Sequence, residues 1–406
     1  MTRGVAPLSQ KNGAAAAQFV PDPSLRRLAA SFLAAVSLSS CVSNDAMMHP
    51  PASAAAAPLH IQIPPRVPPG ATAQPPASLV REIEALGRSF DGKVGIAVQD
   101  VQAGWTVSFN GTAAFPQQSV SKLWVALTTL DAVDRNAIRL DQPVRITRQD
   151  LTLFHQPIAS LVTGDGYVTT VESLLRTAMT RSDNTANDSL LRTVGGPGAV
   201  RAFLTRQGLD GIKFSEGERV MQSRIAGVEW RQEYSLGRAF YDARARVPLD
   251  VRTASLNRYL AAPYDGAQPL AVVGALARLR KGEMLSSGSS QLLLSLMAES
   301  RTGPQRLRGG TAPGWAFAHK TGTGQVLGGL ATGYNDVGVL TSPEGRSYAV
   351  AVLIASTRQP IPTRQRLMSD VTRAVIAQED RQKQYNNWAD RSPASDVMPH
   401  NTGATQ

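Results

Sequence analysis

The sequence predicts an α/β fold in which an antiparallel sheet, flanked by the N- and C-terminal helices, carries an inserted all-helical lobe. Three observations point to it. Strand-like runs stand at residues 93–99 and 105–110 and return at 316–321, 333–341 and 346–354. Between them, over roughly residues 130–280, helical periodicity dominates. A helical run precedes the first strands and another follows the last, so strands from opposite ends of the chain must meet under flanking helices.

Each element has its own signal. Leu79, Ile83, Leu86 and Phe90 recur at helical spacing across residues 78–90. The first two strands are joined by a turn containing Asp100 and Gly104, which reads as a hairpin. After Phe115, Pro116, Gln117 and Gln118, an apolar-periodic stretch over 123–133 predicts a helix with Ser119 at its very start. Further helices are predicted at 171–180, 188–194 and 199–206, and 363–377 closes the unit. The catalytic unit is therefore expected to span 79–378, with a polar tail over 379–406.

Of the 406 residues, 42% are apolar and 18% charged, the balance of a globular protein. No run approaches the roughly 20 apolar residues of a membrane-spanning helix. The net charge of +11 comes from scattered arginines rather than a basic tract, which argues against a nucleic-acid partner. The five histidines show no metal-binding spacing, so neither a metal nor a cofactor is implied.

The single cysteine excludes an internal disulfide and is informative by position. Arg26 and Arg27 open a short apolar run that ends in Leu38-Ser39-Ser40-Cys41. The run has the length of a signal-peptide core. Its ending resembles the bacterial lipobox, which implies that residues 1–41 are a lipoprotein leader, that the Cys41 thiol is acylated, and that the protein is exported to the periplasm and held on a membrane. Residues 42–78 are rich in alanine and proline, with Pro50-Pro51, Pro64-Pro65, Pro68-Pro69 and Pro75-Pro76, and are expected to form a semi-extended tether.

Three short motifs carry the chemistry. Ser119-Val120-Ser121-Lys122 places an amine beside a hydroxyl on one helical turn, because residues i and i+3 share a face. A serine hydroxyl is a poor nucleophile at neutral pH and needs such a base. Ser182-Asp183-Asn184 adds a hydroxyl that can relay a proton and an amide that can hold a substrate carbonyl. Lys320-Thr321-Gly322 supplies a cation and a hydroxyl for a substrate carboxylate, and the glycine is expected to let a ligand approach the strand closely.

Together and in this order, the three motifs resemble the signature of class A β-lactamases and penicillin-binding proteins. The likeness extends to residues 180–191, to 195–204, to 312–324 and to 334–340. It implies a serine hydrolase that opens β-lactam rings, with a β-lactam or a cell-wall-peptide-like molecule as ligand, and acts as a monomer. By that resemblance Ser119 is acylated, Lys122 and Ser182 move protons, and Asn184 binds the substrate amide. Lys320, Thr321 and Thr323 face the carboxylate, and the backbone N–H groups of Ser119 and Thr323 form the oxyanion hole. Phe154 is a candidate aromatic wall of the cleft.

The sequence departs from the family pattern at the glutamate of Glu-x-x-Leu-Asn that activates the deacylating water. Two registers compete. Glu218-Arg219-Val220-Met221-Gln222 keeps the carboxylate and lies 34 residues past Asn184, with Gln222 able to hold the water. Thr253-Ala254-Ser255-Leu256-Asn257 keeps Leu-Asn but sets a threonine where the base should be. The first register is favoured, and it places an insertion between Gln222 and Asp265. Three readings stay open on sequence: a working β-lactamase with Glu218 as base, an acyl-trapping penicillin-binding protein or hydrolase of another ester or amide, and a silent ligand-binding protein.

Overall fold

A computed structural model describes residues 74–391. Cys41, the leader and nearly all of the tether lie outside the described residues. Five long strands build the main sheet: β1 (Lys93–Asp100), β2 (Thr106–Phe109), β3 (Ala316–Thr323), β4 (Leu330–Thr341) and β5 (Ser347–Thr357). They run in the order β2-β1-β5-β4-β3, and every pairing is antiparallel. β5 pairs with β1 across some 250 residues of intervening chain, as in Val98 opposite Val350, so the two ends of the domain close one sheet.

Side-chain alternation decides which face packs on what. Ile96, Val98, Val350, Val352 and Ile354 point to one face, where α1 (Ala77–Ser89) and the closing helix (Ile361–Arg391) bury Leu79, Ile83, Met368, Val371 and Val375 against them. The intervening residues, Ala97, Ala349, Ala351 and Leu353, point to the opposite face and the helical lobe. Alanines there leave room for helices to approach the sheet closely.

The lobe is built from α2 (Lys122–Asp134), α3 (Val171–Arg181), α4 (Asn184–Thr193) and α5 (Pro197–Arg206). The segment after it contributes α6 (Glu218–Ala226), α7 (Ala239–Arg246) and α8 (Leu249–Ala261), and α9 (Pro269–Arg280) and α10 (Ser287–Ala298) return to the sheet. α2 runs through the middle, with Trp124, Val125 and Leu127 fully covered. Its middle is buried on every side, with Thr128 and Thr129 turning their hydroxyls back onto helix carbonyls, as in a helix surrounded by protein. The segment between Gln222 and Asp265 packs into two small apolar clusters, Ile225, Leu256 and Tyr259 with Met221 in one and Ala226 and Phe240 with Leu153 in the other.

Two boundaries differ from expectation. Ser119 lies on a 3₁₀ turn, Gln118–Ser121, that leads into α2 rather than on the helix itself. The closing helix, α11, continues to Arg391, well into the stretch expected to be a tail. Long-range contacts hold it there: the buried Glu379 carboxylate accepts from the Tyr348 hydroxyl at 2.5 Å and lies 3.6 Å from Arg346, and Lys383 pairs with Glu344 at 2.6 Å. Polar composition marks these residues as a tail, yet Glu379 and Lys383 bind polar groups at the sheet's end. Glu379→Ala leaves the buried Tyr348 hydroxyl without its acceptor and is expected to lower stability by about 1–3 kcal/mol in urea unfolding. A change within about 0.5 kcal/mol, the size of an ordinary surface substitution, would contradict this.

Candidate active site

The segment carrying Ser119 is fixed from behind by buried polar groups. Gln118 adopts a left-handed backbone, φ +54°, which costs a non-glycine residue about 1–3 kcal/mol. The Asp265 carboxylate accepts from its backbone N–H at 2.7 Å. The Gln118 side chain donates to the Tyr259 hydroxyl at 2.5 Å and accepts from Gln222 at 2.8 Å, and Tyr259 in turn donates to Asp265 at 2.9 Å. Next to it, the Gln117 amide accepts from the Trp124 indole and donates to the carbonyls of Asp265 and Lys213.

A close backbone approach completes the support. Asn335 donates to the carbonyls of Pro116 and Gln117 at 2.7 and 2.9 Å. A Cβ on Gly322 would stand 2.2 Å from the Gln117 carbonyl oxygen. Gly322 is therefore required by the chain that presents Ser119, and this corrects the expectation that it makes room for a ligand.

Lys122 joins the nucleophile to a carboxylate. Its buried ammonium donates to Ser119 Oγ at 2.8 Å and forms a short ion pair with Glu218. Glu218 opens α6, where its own N–H is bound by both oxygens of Asp188 at 3.0 and 3.1 Å. Burial, and then the neighbouring Glu218 charge, push the Asp188 carboxyl upward. Gln222, one turn along α6, lies 3.4 Å from Glu218 Oε2. By contrast Thr253 and Asn257 are exposed on α8, and the Thr253 hydroxyl only caps the carbonyl of Leu249.

The second and third motifs meet across the cleft. Asp183 caps α4 by accepting from Ala186, while Ser182, at φ +59°, ends α3 and turns its hydroxyl toward Lys320 at 2.9 Å. Burial, reinforced by the charge of Lys122, holds the Lys320 ammonium well below the usual lysine range. Lys320 thus stands behind Ser182 in a setting suited to moving protons. Asn184 lines the cleft and donates its amide to the carbonyl of Leu153 at 2.9 Å.

The cleft encloses about 350 Å³, within the range of small-molecule sites. Ser119, Ser182, Asn184, Glu218, Gln222, Thr321, Thr323 and Phe154, all expected from sequence, line it. Phe154, at φ +61°, is braced edge-on by Phe240 and Tyr241. Sequence reasoning missed Arg306, which donates to Thr323 Oγ1 at 2.6 Å and to the carbonyls of Gly322 and Asn335, with its guanidinium 3.8 Å over the Tyr334 ring. Buried and fixed on Thr323, Arg306 supplies the cleft cation expected of Lys320. It lies in no motif, and only its position shortly before the third strand could have suggested it.

A nucleophilic serine, a buried lysine–carboxylate pair behind it and a hydroxyl–lysine pair across the cleft are the parts of a serine acyl hydrolase. Residues 78–378 match the β-lactamase enzyme family over their whole length, and the chain belongs to that family. It is 26% identical to β-lactamase VEB-1 of Pseudomonas aeruginosa over 73% of this chain and 88% of that protein. The crystal structure of a β-lactamase from Chitinophaga pinensis superposes with a TM-score of 0.62 at 28% identity, covering 74% of this chain and 99% of its own. An ancestral class A β-lactamase superposes at 0.58, also 28% identical, over 74% and 99%. The fold is that of the class A enzymes.

Asp265 offers a direct test of the support behind Ser119. Burial pushes its carboxyl up to about 6, against the opposing pull of the Gln118 N–H and the Tyr259 hydroxyl. Because the folded value exceeds the unfolded one, near 3.8, its contribution to stability is complete below about pH 4 and is lost as pH rises through about 6. In thermal melts the margin of wild type over Asp265→Asn is expected to be widest near pH 4 and to narrow toward pH 7. A margin independent of pH would show that Asp265 does not titrate there.

Proposed function

We propose that this chain hydrolyses the amide of β-lactam rings through an acyl-enzyme on Ser119. One observation carries the reading: a single buried ammonium, that of Lys122, touches both the Ser119 hydroxyl and the Glu218 carboxylate. Lys122 passes a proton to Glu218 and takes the one from Ser119 as Oγ attacks the lactam carbonyl. The N–H groups of Ser119 and Thr323 receive the developing oxyanion, where fixed donors stabilise charge most effectively. The C–N bond breaks, and the proton held by Lys122 reaches the departing nitrogen through Ser182. Lys122 recovers a proton from Glu218, which is again a carboxylate.

Deacylation uses the same carboxylate. Glu218, with Gln222 one turn away, draws a proton from a water that attacks the ester carbonyl; as the bond from that carbon to Oγ breaks, Lys122 gives a proton to Oγ and takes the one held by Glu218, so that Ser119, Lys122 and Glu218 all return to their starting states. Asn184 holds the acylamino carbonyl of the substrate, and Thr321, Thr323 and Arg306 bind its ring carboxylate. Lys320 acts through Ser182. A trapped acyl-enzyme, as in a penicillin-binding protein, would need the base to be missing or displaced, and Glu218 lies against Lys122.

Intact-mass spectrometry after addition of a penicillin tests this. Wild type is expected to show a short-lived adduct and return to the free mass, and Ser119→Ala to show none. Glu218→Gln is expected to hold the adduct, with deacylation slowed about 10²- to 10⁴-fold, the usual cost of a lost general base. A persistent adduct on wild type would instead make the protein an acyl trap.

The same reading extends to cellular placement. The Leu38-Ser39-Ser40-Cys41 ending and the Ala/Pro-rich segment after it support a periplasmic enzyme tethered to a membrane through acylated Cys41. A thioether-linked diacyl group with an amide-linked chain anchors firmly, whereas one chain alone binds marginally. Palmitate label is expected on the full chain and lost in Cys41→Ser, together with membrane fractionation. Unchanged fractionation of the variant would count against the anchor.

A further inference from the structure

A second arginine lines the cleft, held on a different residue of the strand exit from Arg306. Arg244 projects from α7, within the segment between Gln222 and Asp265, and donates to Gln325 Oε1 at 3.0 Å. Gln325 bridges back to α6 through the carbonyl and side chain of Gln222, at 2.8 and 3.2 Å. Thr323 and Gln325 are two residues apart on the chain leaving β3, and each takes one arginine: Arg306 on Thr323, Arg244 on Gln325. The cleft thus carries a guanidinium associated with each of these neighbouring positions.

Arg244 has no counter-ion among the described residues. Among the described residues no carboxylate forms an ion pair with it, and its charged neighbour across a small adjoining hollow is another arginine, Arg252. Its guanidinium also faces the ring of Tyr241, with the centroid 5.6 Å from the guanidinium carbon. An arginine keeps its charge at physiological pH, so a half-buried guanidinium beside a like charge is costly until an anion arrives. Burial and the Arg252 charge both work against the protonated form. The wall next to it is aromatic, with Phe154 braced on Phe240 and Tyr241 at 5.2 and 5.9 Å.

Contacts lead from Asn184 to Arg244: the Asn184 amide donates to the carbonyl of Leu153, the next residue Phe154 packs on Tyr241, and Tyr241 faces Arg244. A penicillin carries its ring carboxylate on one side of the lactam amide and its acylamino side chain on the other. With the lactam carbonyl at Ser119 and the carboxylate beside Thr323 and Arg306, the side chain extends past Asn184 toward Gln325, Phe154 and Arg244. We propose that Arg244 forms an acyl-side anion subsite, which selects β-lactams whose side chain carries an aryl group together with a second carboxylate. The inference rests on the β-lactamase reading above and adds a substrate preference to it.

Two penicillins that differ in one group test the subsite: the phenylacetyl compound and its α-carboxy derivative. The quantity read is the ratio of their kcat/KM values, carboxylated over neutral. Arg244→Gln is expected to lower this ratio about tenfold, the size of one charge-assisted hydrogen bond at a partly buried site, mainly through KM of the carboxylated compound. Arg244→Lys should restore part of it, because a point charge replaces the bidentate fork. Raising the salt should lower the wild-type ratio more than that of Arg244→Gln.

Equal losses on both penicillins would overturn the proposal by reducing Arg244 to a packing residue of α7, and an unaltered ratio would overturn it outright. If wild type opens the neutral penicillin and only the ratio fails to respond, the subsite alone is wrong. If wild type opens neither compound, the β-lactamase reading fails and the subsite falls with it.

Discussion

The contact on which the rest of the site depends is the buried ion pair between Lys122 and Glu218. Two charges removed from water are costly unless they face each other and their remaining bonding capacity is filled. Both conditions are met here: Lys122 also donates to Ser119, and the second oxygen of the Glu218 carboxylate accepts from the Gln222 amide at 3.4 Å. The pair constrains two parts of the chain at once. α2 must begin at Lys122, and α6 must begin at Glu218, or one of the charges is left alone.

Much of the surrounding architecture serves to keep those two helix starts in register. The alanine face of the sheet lets the lobe sit close, and α2 passes through its centre with Leu123 to Leu130 buried. Three non-glycine residues with left-handed backbones, Gln118, Phe154 and Ser182, stand at or just beside the cleft. Such conformations persist only where neighbours over-determine them, and they collect where side chains must be aimed rather than merely packed.

The fold was legible because period-2 and period-3.6 patterns fall in separate parts of the chain, and the central pairing of β1 with β5 requires only that both ends be strands. The chemistry was legible where it depends on spacing along one element, as Ser119 and Lys122 do. What could not be read depends on distant segments meeting. Gly322 has a Thr-Gly context that suggests a ligand, yet its neighbour is the Gln117 carbonyl. Arg306 and Asp265 have no local pattern, because their partners lie on other elements of the fold. The extension of α11 was hidden for the same reason, since its polar residues find partners at the end of the sheet.

Tyr259 lies on α8, inside the segment that separates α6 from Asp265, and its hydroxyl supports the side chain of Gln118 immediately before the nucleophile. Loop length and catalytic geometry are therefore inherited together. A shortened relative could not keep Gln118 as it stands, since a buried amide would lose its acceptor. An engineer trimming this region to make a smaller enzyme would be editing the backbone under Ser119 from the far side of the molecule's extra helices.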